Sequence, residues 1–121
     1  MSLKEQPTIL LIGNDETLSY LLGRFAERSG HNLAIHLEDS SVEQVTAVNP
    51  AVIVFLSTEI LEMFQILVGE LANLDFPIMV CSSVADEAKA KELGADYCLL
   101  HPLTYDNFYQ ALVAIGATKH I

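Results

Sequence analysis

The sequence predicts an α/β domain: a single doubly wound, five-stranded parallel sheet with strand order 2-1-3-4-5 and helices on both faces. Three observations predict it. Apolar runs alternate with helix-period segments five times along the 121 residues. Such strict alternation requires right-handed crossovers and a parallel sheet covered on both sides. The second run alternates apolar with polar residues, as an edge strand does, and the third is the most apolar, as a central strand must be. The length suits one domain with one substantial core. That core is expected over about residues 8–116 of the domain 1–121, with 1–7 and 117–121 as frayed ends.

Each element has a local reason. Thr8 to Ile12 is a continuous apolar run ended by Gly13, which suits a buried parallel strand. Residues 16–29 put Leu18, Leu21, Leu22 and Phe25 on one helical face, and Gly30 stops the helix. Asn32 to Leu37 is the edge strand. Ser40 or Ser41 caps a short helix that runs to Val48. Pro50 introduces the central strand, Ala51 to Leu56. Residues 59–74 read as one amphipathic helix, with Ile60, Met63, Phe64, Leu67, Val68 and Leu71 opposite Glu59, Glu62, Glu70 and Asn73. Ile78 to Cys81 is the fourth strand. A helix follows from about Ala85 to Leu93, stopped by Gly94. Tyr97 to Leu100 is the fifth strand, and Thr104 caps a last helix running to about Gly116. The first and last helices are expected on one face of the sheet and the other three on the opposite face.

Composition excludes several function classes. Hydrophobic residues make up 51% and charged residues 18%, so the chain is globular. A net charge of -10, with only Lys4, Arg24, Arg28, Lys89, Lys91 and Lys119 basic, argues against nucleic acid and against anionic membrane surfaces. No apolar run approaches the roughly 18 residues of a membrane span. No signal-peptide core is present, so the expected location is cytoplasmic. Cys81 and Cys98 are expected to be reduced and buried, and without C-x-x-C spacing they supply no metal site. No cofactor is expected. Gly13-Asn14-Asp15-Glu16 has one glycine and two acids, which is not a phosphate-binding loop. No Asp-x-His-x-x-Gly cobalamin-type motif occurs.

In sheets of this kind the working site lies outside the carboxyl ends of the strands. Those ends supply Gly13, Asn14, Asp15, Leu56, Ser57, Ser82, Ser83, His101 and Pro102. The run Pro77-Ile78-Met79-Val80-Cys81-Ser82-Ser83, then Gly94-Ala95-Asp96, then His101-Pro102-Leu103, resembles the second half of a response-regulator receiver domain, a CheY-like, flavodoxin-like architecture. The resemblance spans about residues 8–116. It implies phosphoryl transfer onto an aspartate ending the third strand. It also implies an acidic pair that holds Mg²⁺ after the first strand, a hydroxyl after the fourth, and a lysine followed by proline after the fifth.

Read without gaps, those slots fall on residues that do not repeat the chemistry. The acidic pair falls on Gly13 and Asn14, with Asp15 one place later. The phospho-acceptor falls on Leu56, the hydroxyl on Ser82, the lysine on His101 and the proline on Pro102. The family's loop between strand three and helix three has no room between Leu56 and Pro77. The segment from strand four to Gly94 is about one helical turn short. The family's switch aromatic on strand five falls on Cys98, with Tyr97 on the opposite face.

The expectation is therefore a pseudo-receiver in a two-component or phosphorelay-type system. It would be a phosphorylation-independent protein-interaction module, not an enzyme, with no metal. Its partner would be a signalling protein or its own output domain, or a second copy as a homodimer. The alternative is a small-ligand-binding or enzymatic domain on the same architecture. A filled apolar cavity at Leu56 favours the first reading and an open polar one the second. Asp15 and Glu16 are expected at a helix N-terminus, and Ser82 and Ser83 at backbone groups of a strand end. Tyr105, Tyr109 and Val113 form a stripe beside the core positions of the last helix. They are the candidate interface, on the face of the fourth helix, fifth strand and fifth helix.

Overall fold

The structure, a computed structural model, describes residues 6–37 and 40–116. Five parallel strands, β1 (Thr8–Ile12), β2 (Asn32–His36), β3 (Val52–Phe55), β4 (Ile78–Ser82) and β5 (Tyr97–Leu100), form one sheet in the order β2-β1-β3-β4-β5. The predicted topology is the observed one. The helices are α1 (Glu16–Arg28), α2 (Val42–Val48), α3 (Thr58–Met63), α4 (Gln65–Asn73), α5 (Glu87–Glu92) and α6 (Tyr105–Ala114), with a 3-10 turn at Val84–Asp86 leading into α5.

Strand alternation divides the core in two. Ile9, Leu11, Val52, Val54, Met79, Cys81 and Leu99 face Leu18, Leu22 and Ala26 of α1 and Phe108, Ala111 and Leu112 of α6. Leu10, Ile12, Ile53, Phe55, Val80 and Cys98 face Val45 of α2, Leu61 of α3, Leu67, Val68 and Leu71 of α4, and Ala90 of α5. All four residues of β3 are buried. Tyr97 packs on the α1/α6 side and Cys98 on the other, and both cysteines are free thiols.

The caps follow the sequence. Asp15 accepts from the Leu18 amide at 3.0 Å and starts α1. It is the cap itself, one place before the first turn where Glu16 sits. Ser41 makes a reciprocal capping box with Gln44. Ser57 caps α3, and Thr104 caps α6. At the amino end of the sheet the Asp96 carboxylate accepts from the Ile78 amide at 2.9 Å, while the Asp96 amide donates to the Ile78 carbonyl at 2.7 Å. Residues 1–5 and 117–121 of the expected frayed ends lie outside the described residues. The carbonyls of Gln6 and Pro7 accept hydrogen bonds from Asn32.

One element differs from expectation. The helix predicted over 59–74 is two helices, broken at Phe64 (φ -106°, ψ 35°). The break frees the Leu61 carbonyl, which would accept from the amide of Gln65 in a continuous helix. The side-chain amide of Gln65 takes over, donating to Leu61 O at 2.9 Å and to Leu93 O at 2.8 Å. The apolar period runs through the break, so periodicity alone could not place it. Gln65→Ala is expected to lower unfolding stability by about 1 kcal/mol, because two carbonyls lose their donor. Urea unfolding of the variant beside the parent measures it, and an unchanged midpoint would show that the tether contributes nothing.

Candidate functional site

The carboxyl ends of β1, β3, β4 and β5 converge on an open cleft of about 520 Å³. Its floor is apolar: Leu18, Leu21, Leu56, Cys81 and Leu103. Its rim carries Asp15, Glu59, Asp86 and His101, with hydroxyls from Ser57, Thr58, Ser82 and Ser83. The structure thus brings Asp15, Leu56, Ser82 and His101 together. Gly13 and Asn14 lie just before Asp15, and Pro102 follows His101, joined to it by a cis peptide.

The end of β3 decides what this cleft can do. The Leu56 amide extends the sheet by donating to Ile12 O at 3.0 Å. Its side chain is buried, 4% exposed, in the core under α1 and α6. Gly13 has a positive φ of 142°, and a Cβ built on it would lie 2.8 Å from Ile60 Cδ1 and 2.9 Å from Leu56 Cβ. The space beside Gly13 is therefore occupied by two apolar side chains. No larger residue fits there without moving them.

The resemblance implies Mg²⁺ at this place, and the residues present do not fit it. Gly13 offers no side-chain ligand and no room for one. Leu56 offers no side-chain oxygen, and Asp15 is engaged as a helix cap. Among the described residues no three His, Cys, Asp or Glu side chains are grouped as a metal site. Mg²⁺ is usually held through one or two carboxylates, with waters completing an octahedron at about 2.1 Å.

The hydroxyls are mostly committed to backbone. Ser57 Oγ accepts from the Ile60 amide at 3.1 Å, and Ser82 Oγ donates to Ser83 O at 2.9 Å. Ser83 Oγ accepts from the Asp86 amide at 3.3 Å. Thr58 Oγ1 differs: it is buried without a hydrogen-bond partner among the described residues. His101 is exposed, and its amide donates to Ser82 O at 3.2 Å. Ile60, Thr58, Glu59 and Asp86 were not among the sequence candidates. For Thr58, Glu59 and Ile60 the absent loop after Leu56 was the signal, because it forces α3 to start at the strand end; Asp86 enters from the turn after β4.

Of the candidate interface residues, Tyr105 packs against the first helix. Tyr105 leans toward α1: the Arg28 guanidinium lies 4.1 Å above its ring, and the Phe25 ring meets it edge-on at 5.7 Å. Tyr109 stacks at 6.0 Å on Tyr105, and Val113 is half-buried one turn on. Tyr105 thus fills the seam between α1 and α6.

Comparison with solved structures agrees with the topology. Chemotaxis protein CheY4 of Vibrio cholerae superposes with a TM-score of 0.73 at 12% identity, covering 91% of this chain and 98% of that one. The signal receiver domain of a DNA binding response regulator from Colwellia psychrerythraea gives 0.72 at 15% identity, over 93% and 99%. The N-terminal domain of the nisin resistance regulator NsrR gives 0.69 at 25% identity, over 92% and 98%. No protein-family model and no curated protein sequence matches the chain. The fold is the CheY-like receiver fold of response regulators, as the resemblance implied.

The Cys81 thiol in the cleft floor is pushed up to about 12 by burial, with the nearby Asp15 charge adding to it. Below the ordinary thiol range both folded and unfolded chains hold this proton, so its contribution to stability is intact there. Above it the unfolded chain ionises first, and stability is lost as pH climbs toward the folded value. Between about pH 9 and pH 11, Cys81 is expected to remove up to about 1.4 kcal/mol of stability per pH unit. Urea unfolding across that range should show a flatter decline for Cys81→Ala than for the parent, and parallel declines would refute the assignment.

Proposed function

We propose that the chain is a phosphorylation-independent, receiver-like domain of a two-component or phosphorelay-type system, working in the cytoplasm as a protein–protein interaction module and not as an enzyme. One observation carries the reading: Leu56 and Ile60 fill the space beside Gly13, where the resemblance would place carboxylates and a metal ion. A receiver fold with that space filled keeps its surface as its means of communication. The neighbours agree in kind, since NsrR's receiver is the N-terminal domain of a regulator. The partner is then a signalling protein or an attached output domain, with a second copy as the alternative. No described helix is long and apolar enough to cross a membrane, and the acidic surface disfavours nucleic acid.

The expected outcome with acetyl phosphate and Mg²⁺ is an unchanged intact mass. Leu56→Asp alone should also stay unmodified, because Gly13 and Asn14 still supply no metal ligands. A stoichiometric, base-labile phosphate adduct on the parent chain would refute the reading.

The alternative reading, a small-ligand site, has one observation in its favour. The cleft above Leu56 is open, and the buried Thr58 hydroxyl beside it lacks a partner. A ligand seated there would raise the melting temperature of the parent more than that of Thr58→Val.

For the interface we propose the α6 stripe of Tyr105, Tyr109 and Val113, whose aromatic side chains suit binding hot spots. Tyr105 also holds α1 through Phe25 and Arg28. Tyr105→Ala is therefore expected to lower stability by about 1–3 kcal/mol through lost aromatic and cation–π contacts. Tyr109→Ala should cost less than about 1 kcal/mol, since its ring contacts only Tyr105 among the described aromatics. Thermal unfolding and sedimentation of both variants separate packing from association. A large stability loss in Tyr109→Ala with unaltered association would remove it from the interface.

A further inference from the structure

A second surface lies across the sheet from α6. The break at Phe64 leaves Met63 and Ile66 on the outside of the α3–α4 crest, 74% and 84% exposed. Both are apolar, and neither supports the core. One turn beyond Ile66 stands Gly69, an exposed glycine inside a helix. A Cβ built on it meets nothing within 4 Å, so no packing within the described chain requires glycine there. Beside the crest a groove of about 350 Å³ runs to the start of α2; Val42, Met63, Phe64, Ile66 and Leu67 form its apolar wall, and Ser40, Ser41, Glu43 and Glu70 its polar edges.

Charge names the occupant. Between Arg28 and Lys89 the sequence has no lysine or arginine. The elements around the groove, α2, α3 and α4, therefore carry only acidic charge: Glu43, Glu59, Glu62 and Glu70. Lys89 reaches Glu62 at 3.2 Å from the α5 side, away from the groove. The described basic residues otherwise lie on α1 and α5. A second copy of this chain docked symmetrically, groove against groove, would bring acidic edges against acidic edges, and like charges across an interface repel. A basic partner gains at both edges. A groove with one apolar wall and polar edges, flanked by helices, takes the apolar face of an amphipathic helix.

We propose that the α2–α4 groove and the Met63–Ile66–Gly69 crest dock an amphipathic helix of a partner protein. Its apolar side chains cover Met63 and Ile66, and its lysines or arginines face Glu43 and Glu70. Gly69 leaves a notch that admits the partner helix closely. The proposal rests on the reading of the chain as an interaction module and supplies its partner chemistry.

The test uses the full chain and a fluorescein-labelled model helix with leucines along one face and lysines and arginines along the other. Fluorescence anisotropy should show saturable binding that weakens as salt rises. Ile66→Ala and Glu70→Lys should each weaken it on the order of tenfold, the loss typical of truncating an interface anchor, with melting temperature unchanged. Glu92→Lys on α5 makes the same charge change away from the groove, and should shift affinity by less than about twofold if the contact is local. A model helix with glutamates in place of its basic residues should not bind.

Equal binding by the parent, Ile66→Ala and Glu70→Lys would overturn the proposal, as would no saturable binding. Sedimentation showing a dimer that Ile66→Ala dissolves would also overturn it, because the occupant would then be a second copy. Failure of the helix to bind while the chain stays inert to acetyl phosphate removes the groove and leaves the broader interaction reading standing. A phosphate adduct would remove the broader reading whatever the helix does.

Discussion

Covering both faces of a parallel sheet leaves few places for polar chemistry. β1, β3 and β4 must be apolar on both sides, because helices bury each of them twice. Only the strand ends escape, and only the carboxyl ends gather at one place. In this chain the central end is closed as well. Leu56 continues the sheet by one hydrogen bond, packs its side chain into the core and so floors the cleft with carbon. Ile60, one turn into α3, completes the closure against Gly13. The absence of a spacer after β3 makes this possible. Ser57 caps α3 directly at the strand end, so the helix is drawn down over the position.

The two helical layers consequently have different characters. The layer of α1 and α6 is tied by aromatic contacts among Phe25, Tyr105, Phe108 and Tyr109, with Arg28 stacked above. The layer of α2, α3 and α4 has acidic surface charge and, at the Phe64 break, large apolar side chains in water. Isolated exposed apolar residues are ordinary on a protein surface. Met63 and Ile66 stand out because they meet at a groove edge where the helix has been interrupted.

Most of the architecture was legible in the residues. Alternation gave the parallel sheet, the polar alternation of Asn32 to Leu37 gave the edge, and the caps at Ser41 and Thr104 lie where the hydroxyls predicted them. The break in the third helix was not legible, because Ile60, Phe64, Leu67 and Leu71 keep helical spacing across it. What accompanies it is a tertiary contact, the Gln65 side chain donating to Leu93 O, which lies 28 residues away in sequence. For the site, the substitution of Leu56 could be read directly, whereas its physical consequence could not. That Gly13 is packed under Leu56 and Ile60 depends on three segments meeting. Likewise, helical phase showed Tyr105 and Tyr109 to be neighbours but could not say that Tyr105 leans toward α1.

The hydrogen-bonded pair between Asp96 and Ile78 bears on how such a chain is classified. Gly94-Ala95-Asp96 is the most distinctive text in the sequence, and its aspartate works at the amino end of the sheet, stapling the entry of β4 to that of β5. The cleft lies at the other end, a full strand length away. Both ends belong to one scaffold, yet neither constrains the other's chemistry. A signature placed there certifies the frame of the building and is silent about what trade goes on inside it.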